Sequence, residues 1–481
     1  MSIPIVHDPL RLPPELWLLI FRFATSAPII YSEYEPFQSR HHDTITTTTA
    51  ALSDADAALR DKCAIALVCR QWRALAGDMR YEDIRIGHGI AALHAALSKP
   101  AAIVDGTIAQ AARHRVRRAV LPYAHTATPT HHAPPALALL ALLPHIEVLV
   151  RPPIPSPPIP PPRPPILTYT TTPFSPSSSP TFFPRFEFLT PPIPRPLIPL
   201  YTHTAPFSPS SLAFFPRFEF PTAAPALPAL RRLEWAFDTT GAAARAGGIN
   251  SLTDMLVASS RTLHELVLTG PMPLAALRQQ HCVRLGALRT LRLHAGAGAC
   301  PFVARQTTYW EIPALENVVV EGAARAEALG ALWSKFGGQV RVLELELGCG
   351  RGAGVSMGDV GKIIHVCPAL EELNLRMGVA DLNLCWNPTV DSDDGTTQTC
   401  DCTHNRPQRV GICVGAGEWS VKTWTAVVEY VGKLGKGCPG LHQVVLYVQN
   451  VEVAMRNPQF HALRETLSSS GRQLFLRSAH V

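Results

Sequence analysis

A short apolar pattern, Leu-x-x-Leu-x-Leu, recurs along this chain and limits its fold more than any other feature. The cleanest copy is Leu288-Arg289-Thr290-Leu291-Arg292-Leu293. Relaxed copies begin at Leu230, Leu263, Leu315, Val340 and Leu370, so successive copies are separated by 33, 25, 27, 25 and 30 residues. A further copy begins at Leu441, and a partial one runs from Ile146 to Leu149. Alternate side chains of an extended strand share one face, so the last two apolar residues of each copy enter one core. The first apolar residue closes the turn before the strand. Pro313-Ala314 and Pro368-Ala369 place such turns. Segments between copies, such as Ala324 to Phe336, read as helices on the outer side. One unit cannot bury its face alone, whereas stacked copies bury a continuous core. The pattern therefore predicts stacked α/β units.

The first ninety residues follow a different rule. In Leu12 to Ala24, LPPELWLLIFRFA, Pro13 and Pro14 open a helix without losing an internal hydrogen bond. Glu15 lies in the first turn, where the helix dipole favours a negative charge. Leu16, Leu19, Ile20 and Phe23 then follow helical spacing, and Trp17, Leu18 and Phe21 widen the apolar surface. A second helix is predicted from about Ala57 to Ala76, with Gly77 as its stop. Both helices carry more apolar surface than a small core needs, so they call for partners on two sides.

Leu12-Pro13, Glu15, Leu16 and Ile20-Phe21, followed by Leu67-Val68-Cys69-Arg70-Gln71-Trp72, resemble the F-box family. Tyr81-Glu82-Asp83-Ile84-Arg85-Ile86 is similar to the tail common in fungal members. A threonine-rich polar insert from about 25 to 57 separates the two halves. The resemblance implies that Leu12, Pro13, Leu16, Ile20 and Phe21 lie against a Skp1-like adaptor. Leu67, Val68, Cys69 and Trp72 would complete the gripped surface, and the adaptor would connect to a cullin. The recurring leucine pattern resembles the leucine-rich repeat family in a worn form, with Asn374 the one residue near an asparagine-ladder place. The combination implies a substrate receptor of a ubiquitin ligase, with the repeat surface holding an unidentified protein target. One alternative is a scaffold that binds the adaptor without delivering substrates; another is a metal-binding protein.

The expected fold class is α plus α/β. A small helical F-box at 10–86 precedes a helical connector and first partial repeat at 87–150. An irregular leucine-rich-repeat-like α/β solenoid occupies 229–475, with a polar loop at about 378–418. A proline-rich insert at 151–228 interrupts the array. It begins with RPPIPSPPIPPPRPPI and then carries two near-identical segments, Tyr169–Phe188 and Tyr201–Phe220. Too few regular apolar positions exist there for a packed core, so disorder or extended polyproline is expected. Most of the 46 prolines of this 481-residue chain need no other explanation.

Charge and chemistry exclude several functions. The net charge is +6, and the short run Arg113, Arg115, Arg117, Arg118 reads as a solvated helix face. A nucleic-acid patch would add aromatics and further basic residues. The longest apolar run, Ala136 to Leu143, falls short of the ~20 residues of a membrane helix. With no leading signal pattern and an odd count of 11 cysteines, a cytoplasmic or nuclear protein without a disulfide scaffold is expected. Cys400-Asp401-Cys402-Thr403-His404, with Cys385 and Cys413 nearby, is spaced too tightly for typical zinc ligands. Asp391, Asp393 and Asp394 lack the glutamate of a calcium loop. Gly348 to Gly354 lacks the Gly-Lys-Ser/Thr of a phosphate loop. There is no Gly-x-Ser-x-Gly elbow, and His41-His42 and His131-His132 have no partner carboxylates. No cofactor, metal or catalytic residue is assigned.

Overall fold

A computed structural model describes residues 12–25, 34, 36–37, 61–76, 79–86, 90–99, 103–104, 107–108, 112–121, 136–151, 226–237, 252–270, 282–294, 308–322, 329–347, 355, 357–377, 407–414 and 421–478. The proline-rich segment and the Cys400–His404 loop lie outside these residues.

The recurring pattern builds one 12-stranded parallel sheet. Its strands are β1 (Asp83–Arg85), β2 (Arg118–Val120), β3 (Val148–Arg151), β4 (Arg232–Ala236), β5 (Glu265–Thr269) and β6 (Thr290–His294). They continue as β7 (Asn317–Glu321), β8 (Val342–Leu347), β9 (Glu372–Met377), β10 (Arg409–Val414), β11 (Gln443–Val448) and β12 (Gln473–Ser478). Each strand pairs with its successor in the chain, so the sheet grows in sequence order.

The register aligns the inward residues into rows. Leu233, Leu266, Leu291, Val318, Leu343, Leu373, Val410 and Val444 stand side by side. Trp235, Leu268, Leu293, Val320, Leu345, Leu375, Ile412 and Leu446 form the second row. The first apolar residue of each copy is buried as well, from Leu230 and Leu263 through Leu370 and Leu441. Helices Gly330–Phe336, Met357–Val366, Val421–Gly437 and Pro458–Ser469 pack on this same face. Their Trp333, Ile363, Val427 and Leu463 join one core with the strand rows. Strands such as β6 and β9 accordingly alternate apolar and polar residues, whereas β3, β7 and β11 also bury Val150, Val319 and Val445 on the side opposite the helices.

The turns before the strands carry a backbone ladder. In each copy one carbonyl accepts two successive N–H groups of the next. Arg231 O takes His264 N at 2.7 Å and Glu265 N at 2.9 Å, and Glu316 O takes Arg341 N at 2.8 Å and Val342 N at 3.0 Å. The same pairing runs from Glu82 O to Gln408 O. Buried turns need every polar backbone group satisfied, and here the main chain does this without an asparagine ladder. Asn374 lies instead on the sheet face opposite the core, where its Nδ2 donates to Glu372 Oε1 at 2.9 Å.

β3 pairs directly with β4, so the proline-rich segment interrupts the sheet without ending it. Several sequence expectations change. The Tyr81–Ile86 tail supplies β1, and its Ile84 and Ile86 belong to the main core. The sheet therefore starts inside the span 10–86. Within 87–150, Val116-Arg117-Arg118-Ala119-Val120-Leu121 forms an additional copy. The stretch 378–418, a polar loop by sequence, contains β10. Of the basic run, Arg113 lies in a single 3-10 turn, Ala112–His114, and Arg118 starts β2. Arg117 pairs with Glu147 and Arg118 with Asp83, so these cations join strands rather than line a helix.

Candidate functional site

Two surfaces stand out: the N-terminal helices and the sheet face opposite the core. Helix α1 (Pro14–Thr25) begins where Pro13 O accepts Leu16 N at 3.0 Å and Trp17 N at 3.2 Å. Its end is held by Thr25 Oγ1, which donates to Phe21 O at 2.7 Å. The predicted second helix, about 57–76, is broken in two. Residues 61–68 form α2, Cys69 is not helical, and α3 runs Arg70–Ala76. Cys69 acts as a cap: its carbonyl accepts Arg73 N at 2.9 Å and its Sγ accepts Trp72 N at 3.4 Å. A cap residue takes non-helical angles, which is why the helix interrupts there.

Phe21 packs between Trp17 and Trp72, with ring centroids 5.6 and 4.8 Å away. Phe21 is buried and Trp72 half-buried, so both sit behind the surface they support. Leu12, Pro13, Leu16, Ile20, Leu67, Val68 and Cys69 are all exposed. Leu67 is 74% and Val68 61% accessible, values unusual for large aliphatic side chains. Leu19 belongs with them at 63%; its place beside Leu16 and Ile20 on α1 was the available signal. Clustered exposed apolar side chains mark interaction sites, and burying each one contributes about 1.5–3 kcal/mol.

The opposite sheet face carries ion pairs across strands, with buried Val267, Val319 and Val445 between them. Arg232 meets Glu234 and Glu265, each at 2.7 Å. Arg292 Nε meets Glu265 Oε1 at 3.1 Å, and its Nη1 lies 3.7 Å from Glu321. Arg376 Nη2 lies 3.9 Å from Glu344, and Arg409 Nη1 3.2 Å from Glu372. Burial works against the Arg292 charge, but Glu344, Glu265 and Glu321 raise its pKa above the ordinary value. Burial likewise opposes the Glu321 charge, yet His294 and Arg292 hold its carboxyl below the usual range. Glu344 behaves differently: burial pushes its carboxyl up, against the pull of Arg292. It is 1% accessible and is covered by residues from the N-terminal insert. Tyr34 Oη donates to Glu344 Oε2 at 2.8 Å, and Phe37 N donates to the same oxygen at 3.1 Å.

Gly411 makes room for this arrangement. It pairs with Asn374 in the register, and a Cβ there would stand 2.0 Å from Asn374 Oδ1 and 3.2 Å from the Tyr447 ring. Gly411→Ala is expected to destabilise the protein by about 1–3 kcal/mol through overpacking. Gly432→Ala should do the opposite. Gly432 is an exposed helical residue with nothing within 4 Å of its would-be Cβ, and helix propensity favours alanine by up to ~1 kcal/mol. Urea midpoints moving in the same direction for both variants would refute this account.

A cleft of about 350 Å³ lies at the strand starts, lined by Arg117, Glu147, Arg231, Arg261 and His264 among others. Burial, with Arg231 and Arg289, lowers the His264 pKa below its ordinary value. Among the described residues no group of three or more His, Cys, Asp or Glu could hold a metal, and no helix is long and apolar enough to cross a membrane. No protein-family model matches this chain, and no curated protein matches it.

Proposed function

We propose that this chain is the substrate-recruiting subunit of a Skp1-cullin-F-box ubiquitin ligase. Helices α1–α3 bind the Skp1-like adaptor, the strand array is a leucine-rich-repeat-type solenoid, and its polar face binds a protein target. The chain catalyses nothing itself; it raises the local concentration of target near the ubiquitin-loaded enzyme. The observation that carries the reading is the set of large aliphatic side chains left in solvent on α1 and α2, at the positions of the two half-signatures. A helical surface that docks in a partner's groove draws its affinity from such clustered anchors.

Leu16→Asp combined with Leu67→Asp should abolish co-purification with the adaptor while leaving the unfolding midpoint unchanged, because both side chains are already exposed. Alkylation gives an independent readout. Cys69 is exposed and should be shielded by the adaptor, whereas Cys367, its thiol pushed up to about 12 by burial, should stay unreactive throughout. Adaptor capture by the double variant at the wild-type level would end this reading.

A further inference from the structure

The insert between α1 and α2 does more than join them. Its Tyr34 and Phe37 lie on the sheet face opposite the core, more than 300 residues away in sequence, as the 310-residue separation of Tyr34 and Glu344 records. One carboxylate oxygen, Glu344 Oε2, receives both the Tyr34 hydroxyl and the Phe37 amide. Asn374 Nδ2 donates to Tyr34 Oη at 3.0 Å, and the Arg292 guanidinium lies 5.8 Å from the centre of the Tyr34 ring. Phe37 is 1% accessible and meets Tyr447 edge-on with centroids 4.7 Å apart. With Cys413, Val445 and Tyr447 it forms a small apolar cluster separate from the main core.

The features of this seat are those of a binding site rather than of a structural strut. A buried carboxylate needs donors, and two of its donors come from this short turn. Asn374 Oδ1 is buried and accepts no hydrogen bond among the described residues, and Glu344 Oε1 accepts none either, facing only the Arg376 guanidinium at 3.9 Å, so the seat has acceptor capacity left. The occupant is strained: Phe37 has φ of +54°, a left-handed conformation that opposes burial of a bulky residue. The buried contacts offset that strain, so a segment making the same contacts from a relaxed backbone would bind the seat more tightly than the resident turn.

We infer that Glu344, Asn374, Gly411 and Tyr447 form a recognition seat for a Tyr-x-x-Phe protein segment, and that the chain's own Tyr34 and Phe37 occupy it at rest. An incoming target carrying this aromatic turn displaces the internal copy. The seat is thus autoinhibited, and a tether at about millimolar effective concentration suppresses weak or partial matches. Tyr34 supplies the hydroxyl donor, residue 37 the backbone donor and the ring. This inference rests on the polar sheet face being the target surface.

The test uses the full chain and a fluorescent peptide spanning Ile30 to His41 of its own sequence. Tyr34→Ala with Phe37→Ala empties the seat, so the peptide should bind this variant at least about tenfold more tightly than wild type. Adding Gly411→Ala should erase the gain. Equal affinity for wild type and the double variant, or no binding to a double variant that retains its circular dichroism, would overturn the inference. Should that variant fail to fold, wild type decides: millimolar peptide should speed exchange of the Phe37 amide, and unchanged exchange refutes displacement. Adaptor capture is measured in parallel. Its retention without peptide binding rejects the seat alone, and its loss under the α1–α2 substitutions with intact peptide competition would leave the seat standing.

Discussion

Arg292→Ala is expected to destabilise the fold by about 3–5 kcal/mol, the range for removing one partner from a buried ionic group. The side chain is 6% accessible and lies amid Glu265, Glu321 and Glu344, one on each of three other strands. Removing it leaves Glu265 to share Arg232 with Glu234, Glu321 to His294 and Glu344 to Arg376, so three carboxylates lose the one cation they have in common. The loss should persist in high salt, because buried pairs are poorly screened. Arg341→Ala is the matched control. Arg341 pairs with Glu371 at 2.8 Å but in solvent, where such pairs contribute little. Urea unfolding of both variants checks this. A loss for Arg292→Ala below about 1 kcal/mol, the scale of a surface pair, would show that the face is hydrated and that its charges are not coupled.

Leu345→Ala should cost about 2–5 kcal/mol, combining lost transfer energy with an incompletely collapsed cavity. Leu345 is fully buried in the second inward row, between Val320 of β7 and Leu375 of β9. Neighbours on both sides are held by strand pairing, so the site cannot close by a small shift. The same change at Leu67, 74% accessible on α2, should alter stability by less than about 0.5 kcal/mol. The contrast separates the two kinds of leucine in this chain: those that hold the sheet together and those left for a partner. Comparable losses at both positions would contradict the exposure of α2.

Much of the sheet is legible because its core face repeats. Wherever the inward residues are Leu, Val or Trp at spacing two, the strand can be recognised, as at Leu291-Arg292-Leu293. Recognition fails where one inward position shrinks or the lead residue changes. β2 has Ala119 in place of leucine. β10 has Gly411 at its centre and follows a long polar run, so its Val410 and Ile412 lack a leading Leu-x-x. β12 is an edge strand whose Phe475 faces outward at 42% accessibility, blurring the alternation. The N-terminal helices are likewise legible from their surplus of apolar residues. Their break at Cys69 is not, because Leu67 through Trp72 keep helical spacing and only the Sγ cap shows why the chain turns.

The outward face obeys no such period. Which charges meet there depends on which strand stands next to which, and Arg292, Glu344 and Arg376 become neighbours only once β6 to β9 are in register. The contact of Tyr34 with Glu344 depends on the whole array being folded, since no local pattern relates residues 310 positions apart. Apolar burial is non-directional and repeats with the backbone, so the inward rows can be read along the chain. Hydrogen bonds and ion pairs are directional and short-ranged, and the folded sheet alone decides their partners.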